Sequence, residues 1–124
     1  MKKLKKQLQQ NKESMQTLAT KVYKLCKKVK PKTSFGGYLN NVKYSAYCIA
    51  TQKGDYFHHA GEMVDRFGQV TDIKYFNLNG TRNSKKRTKI DYEFIVLTTE
   101  IFEIAKKCDR LEYELEQREF INKK

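Results

Sequence analysis

Ahead of Pro31, the only proline in the chain, apolar residues recur at Leu4, Leu8, Met15, Leu18, Val22, Leu25 and Val29, in steps of three and four with one omission. That spacing is a heptad, with Leu8, Met15, Val22 and Val29 at a and Leu4, Asn11, Leu18 and Leu25 at d, so a polar Asn11 interrupts the seam. It predicts a helix of about seven turns over residues 1–30, stopped by Pro31 and the Lys-Thr-Ser-Phe-Gly-Gly that follows. A chain that opens this way must supply a second apolar surface to cover the stripe.

The C-terminus offers one. Thr98 or Thr99 reads as an N-cap, with Glu100 and Glu103 in the first turn, and Ile101, Ile104, Cys108, Leu111 and Leu115 repeat the three-four spacing over 99–120. This helix is acid-rich from Asp109 to Glu119, whereas residues 1–32 hold eleven lysines against the single acid Glu13. The two are natural partners for one another, within one chain or between chains. Of the formal net charge of +12, +10 lies in residues 1–32, +3 in 33–98 and −1 in 99–124.

Between the helices the sequence is dense in aromatic and β-branched residues. Val42 to Thr51 reads as a strand, Tyr56 to Arg66 as a short helix, and Gln69 to Asn77 and Thr88 to Leu97 as two further strands, the last with Ile90, Tyr92, Phe94 and Val96 alternating on one face. Leu78 to Arg87 joins them as a hairpin loop. The expectation is one α+β domain over 1–124, in the order α-β-α-β-β-α: a small antiparallel sheet in a 42–98 core, packed against the two long helices.

Composition excludes several classes. No apolar run approaches the roughly 20 residues of a membrane span. The N-terminus lacks the apolar stretch and cleavage site of a secretory signal, so it reads as a mature cytoplasmic start. Cys26, Cys48 and Cys108 are odd in number and widely spaced, which fits free thiols in a reducing compartment better than a disulfide framework or a zinc site.

The chemistry-bearing candidates are basic and aromatic. Arg82, Lys85, Lys86 and Arg87 on the hairpin loop, with Lys89 beyond it, can reach phosphates from a projecting turn; the plain alternative is a solvated loop. On the first helix, Lys21, Lys24, Lys27, Lys28 and Lys30 lie off the apolar stripe and form a face suited to a phosphate backbone, although a charge run is often only solvated surface. Tyr44 and Tyr75, each beside a lysine (Lys43 and Lys74), are candidates for stacking on unpaired bases, against the commoner fate of core packing. Adjacent His58 and His59 point about 100° apart on a helix and cannot chelate one metal together. Asp72-Ile73-Lys74 with Glu62 or Asp65 is a chance-level match to a metal-dependent nuclease.

These features predict a non-enzymatic nucleic-acid-binding protein without a cofactor, with RNA or structured nucleic acid ahead of duplex DNA. The alternative is a small phage-type inhibitor or accessory protein, anti-defence or anti-CRISPR in kind, that binds a nucleic-acid-handling protein complex. No membrane partner is expected, and a homodimer through the Leu8 to Val29 seam is a further option.

Overall fold

The computed structural model of the chain describes residues 2–28, 36–67 and 89–122. These form four α-helices and no strand: α1 (Lys2–Lys28), α2 (Gly36–Ala50), α3 (Tyr56–Phe67) and α4 (Lys89–Asn122). Each helix packs on two others, in the closed ring α1 to α2 to α3 to α4 to α1. Lys12 and Gln16 lie near Gln52, and Tyr23 meets Lys43 and Tyr47, so α1 and α2 are antiparallel. Tyr44 against His59, and Phe57 against Phe102 with Tyr56 near Glu112, make the next two pairs antiparallel as well. The architecture is an up-down-up-down four-helix bundle.

The expected α+β fold with a small antiparallel sheet is therefore corrected to an all-helical one. The strand placed over Val42 to Thr51 is the body of α2. Leu39, Val42, Ala46 and Ile49 are all buried, and their steps of three, four and three belong to a helix. Its tyrosines and β-branched residues suggest a strand by type, but tertiary packing overrides so weak a preference. The strand placed over Thr88 to Leu97 is likewise the start of α4. Phe94 and Ile95, neighbours in sequence, are 0% and 1% exposed, while Val96 is 51% exposed, which no alternating strand can produce. With its second arm helical, the basic hairpin of the α-β-α-β-β-α reading has no pair to form. The arm expected over Gln69 to Asn77 and the loop itself lie outside the described residues.

Thr98, expected to cap the last helix, sits in its interior. Its hydroxyl donates to the Phe94 carbonyl at 2.8 Å and is fully buried, which satisfies the side chain without breaking the helix. The 34 residues of α4 contain no glycine or proline, so nothing in the sequence stops it sooner. Asp91 and Phe94, Ile95, Thr98, Ile101, Ala105, Cys108 and Leu115 form one continuous buried stripe along it.

On α1 the buried residues are Met15, Ala19, Val22 and Cys26. Two of these, Ala19 and Cys26, are heptad e positions, so the stripe is broader than the a/d seam and suits a bundle core with two neighbours. Met15 and Val22 are spent inside this core together with Phe94, Ile101 and Met63. Two a positions of the Leu8 to Val29 seam are thus buried within the chain, while Leu8, Leu18 and Leu25 stay partly exposed. No helix of the described residues is long and apolar enough to cross a membrane.

The turn between α2 and α3 is specified by its backbone. The Lys53 amide donates to the Cys48 carbonyl at 2.8 Å and the Gln52 amide to the Ile49 carbonyl at 3.2 Å, the paired bonds of a Schellman cap with Gln52 at φ 58°. Asp55 then caps α3, its carboxylate accepting from the Phe57 amide at 2.9 Å and the His58 amide at 3.4 Å. Gly54 between them has φ 74°, and a Cβ there would stand 3.2 Å from His59 Nε2.

Two measurements check this fold. Ile95→Ala should cost about 2–5 kcal/mol in denaturant unfolding and Val96→Ala no more than about 0.5 kcal/mol; a larger loss at Val96 than at Ile95 would contradict the helix. Gly54→Ala and Asp55→Ala should each lower stability by about 1 kcal/mol, the first through its left-handed backbone and the second through the lost cap.

Candidate nucleic-acid interface

From Ser14 to Gly54 the chain contains eight lysines and no aspartate or glutamate. This window spans most of α1, all of α2 and the start of the turn, so the two helices present adjacent surfaces without a carboxylate. On α1, Lys21, Lys24 and Lys28 are exposed and spaced by three and four, and with Lys27 they cover an arc of about 120° opposite the buried stripe. None of these four lysines forms an ion pair within the described residues. On α2, Asn40, Lys43, Tyr44 and Tyr47 stand at i, i+3, i+4 and i+7, one outward stripe bordering α1.

The two surfaces meet around Tyr23. Its ring receives Lys27 Nζ at 4.8 Å and Lys43 Nζ at 5.6 Å, and its centroid lies 6.2 Å from that of Tyr47. Lys53 in turn stands 5.1 Å over the Tyr47 ring and donates to its hydroxyl at 3.2 Å. Lysines and tyrosine rings therefore alternate along the α1–α2 face. Tyr23, Asn40, Lys43, Tyr44 and Tyr47 line a shallow groove of about 400 Å³. Tyr44 is 64% exposed and Tyr47 38% exposed, so the rings are open to solvent.

Protonation leaves this face cationic. The Tyr44 phenol is raised above its ordinary pKa, chiefly by the Cys48 side chain one turn on, and stays neutral at physiological pH. Burial, then the adjacent His58, holds the His59 imidazole below its usual value, so His59 is uncharged at pH 7 where it meets Tyr44 edge-on at 6.0 Å.

Among the residues expected to bind, Lys21, Lys24, Lys27 and Lys28 fall on the solvent face of α1, with Lys27 at the groove. Tyr44 lines the groove, from a helix instead of a strand. Lys89 is exposed at the start of α4, which does not line the groove. Lys30, Tyr75, Arg82, Lys85, Lys86 and Arg87 lie outside the described residues. Sequence reasoning missed Tyr23, Asn40, Tyr47 and Lys53. Their signal was the helical spacing of Asn40, Lys43 and Tyr47, invisible while this segment was read with a period of two.

A second cavity, about 160 Å³, lies between α1 and the α2–α3 turn, lined by Lys12, Gln16, Cys48, Lys53 and Tyr56 among others. The Tyr56 hydroxyl is buried, and burial followed by Glu112 and Asp109 raises its pKa. Lys12 crosses to α4 to pair with Glu112 at 3.1 Å. Among the described residues, no three His, Cys, Asp or Glu side chains converge as a metal site requires.

Comparison with known proteins finds no matching family model, no similar curated protein and no similar solved structure.

All three cysteines are free and buried. Desolvation pushes the Cys26 thiol up to about 12, against a smaller lowering by Lys43, and also raises Cys108. Because only the thiolate reacts, an aromatic disulfide reagent at pH 8 should titrate no thiol in the native protein and all three in denaturant. Fast native labelling would show that the core is not packed as described.

Proposed function

We propose that this chain is a non-enzymatic nucleic-acid-binding protein that holds phosphates with the lysine face of α1 and the adjoining stripe of α2. The observation that supports this most is the window from Ser14 to Gly54, which holds no acid, and in which Lys21, Lys24, Lys27 and Lys28 of α1, Lys43 of α2 and Lys53 of the turn surround open tyrosine rings. A merely solvated surface disperses charges of both signs, whereas a one-sign field repels itself until a polyanion neutralises it. Lysine is the sole cation on this face, which favours positioning on the backbone over reading of base edges. The rings favour RNA or another nucleic acid with unpaired bases over duplex DNA.

A second reading, a protein that docks on a nucleic-acid-handling complex, takes its support from Tyr113, Phe120 and Ile121, which are exposed near the end of α4. Under that reading the partner would remain bound after nuclease digestion and would be lost on substitution of these three residues.

The first reading predicts that affinity for a labelled single strand falls as salt rises, with a logarithmic slope of about −0.7 per phosphate neutralised. Lys24→Glu with Lys27→Glu should weaken binding at least ~10-fold at low salt and flatten that slope by roughly 1 per lost contact. Lys107→Glu, a reversal at one exposed position on α4, should have much less effect than either Lys24→Glu or Lys27→Glu alone. Salt-independent binding, or equal loss from all three substitutions, would refute the assignment of this face.

A further inference from the structure

We propose that the groove between α1 and α2 receives an unpaired base of a single-stranded nucleic acid, stacked on Tyr44 and Tyr47, with Lys27 and Lys53 holding the phosphates on either side. This rests on the nucleic-acid reading above and goes beyond it in naming the substrate class and the subsite.

Four features of the groove point to this occupant. It is shallow and open, and its volume of about 400 Å³ leaves room for a base with its sugar. Its walls include flat rings that reach water, Tyr44 above all. The lysines sit where phosphates would follow. Lys27 lies at the Tyr23 end and Lys53 at the Tyr47 end, while Lys43 stands in the wall between them. Finally, the exposed Asn40 places an amide, which both donates and accepts, at the edge of the same groove, within the repertoire that recognises a base edge.

A duplex does not fit this arrangement. Its bases present only their edges, so the exposed rings find no base face to stack on, and the gain would be confined to phosphate contacts. A neutral aromatic ligand would use the rings and leave the lysines at both ends unpartnered. A single strand uses both, since every base carries a π-face and every nucleotide a charge.

The test compares three labelled probes of about 12 nucleotides by fluorescence anisotropy: a mixed-sequence single strand, an abasic strand of the same length and charge, and the duplex. Wild-type protein should bind the single strand ~5- to 150-fold more tightly than the abasic strand. Tyr44→Ala combined with Tyr47→Ala should bring the single strand down to the abasic level, leaving abasic binding and its salt slope unchanged, while Tyr44→Phe should retain the preference. Circular dichroism melting of each variant confirms that the bundle is intact. Equal affinity for the intact and abasic strands, or tighter binding of the duplex, would overturn the base subsite; if charge reversal at Lys24 and Lys27 still weakened binding, the lysine-face reading would survive. Failure to bind any probe would overturn both.

Discussion

The bundle depends on its closure between the first and last helices. α2 and α3 are short, about 22 and 18 Å long, and are held to each other by a capped turn, but the ring is complete only when α4 folds back along α1. What joins the two is apolar burial. Met15, Ala19, Val22 and Cys26 on α1, and Phe94, Ile95, Ile101, Ala105 and Cys108 on α4, belong to a single core cluster with almost no exposure. Burying one such aliphatic or aromatic side chain is worth about 1.5–3 kcal/mol before entropy is counted. The Lys12–Glu112 pair between the helices leaves both side chains about one-third exposed and contributes at most about 1 kcal/mol. Charge complementarity accompanies the pairing of α1 and α4, and packing drives it.

That division of labour explains why so much positive charge is left outside. α1 carries nine lysines and one acid, α4 five basic and nine acidic residues, yet among the described residues the only ion pair that spans them is at Lys12. Glu103 and Glu114 are taken by Lys106 and Arg118 of their own helix. The lysines of the first turn of α1 gain nothing from their helix either, because cations at an N-terminus oppose its macrodipole. The core fixes which way α1 faces, and in doing so it turns Lys21, Lys24, Lys27 and Lys28 toward solvent.

The sequence made the long N-terminal helix and the acidic stripe from Ile101 to Leu115 legible, because both show three-four spacing broken only at Asn11, and the short helix beginning at Tyr56 was legible as well. It concealed α2 and the first ten residues of α4. In both, β-branched and aromatic residues fill exposed as well as buried positions: Tyr44, Tyr47, Ile90, Tyr92 and Val96 all face outward to some degree. Exposed rings blur a helical period into what looks like alternation, and residue type then outvotes spacing. The same blurring hid half of the groove. Lys27 and Tyr44 could be named from lysine density and ring placement, but Tyr23, Asn40 and Tyr47 join them only when α2 is a helix laid antiparallel to α1.

The turn that ends α2 also completes the groove. For Lys53 to reach the Tyr47 hydroxyl, six residues earlier, the chain must stop winding and double back within two residues of Thr51. The Schellman bonds to Cys48 and Ile49 impose that reversal, at the cost of a left-handed glutamine where glycine is usual. Continuation of the helix would carry residue 53 about 9 Å further along the axis from Tyr47. The groove's second cation is thus set by backbone hydrogen bonding, and the bonds that close α2 also position the ammonium over the ring.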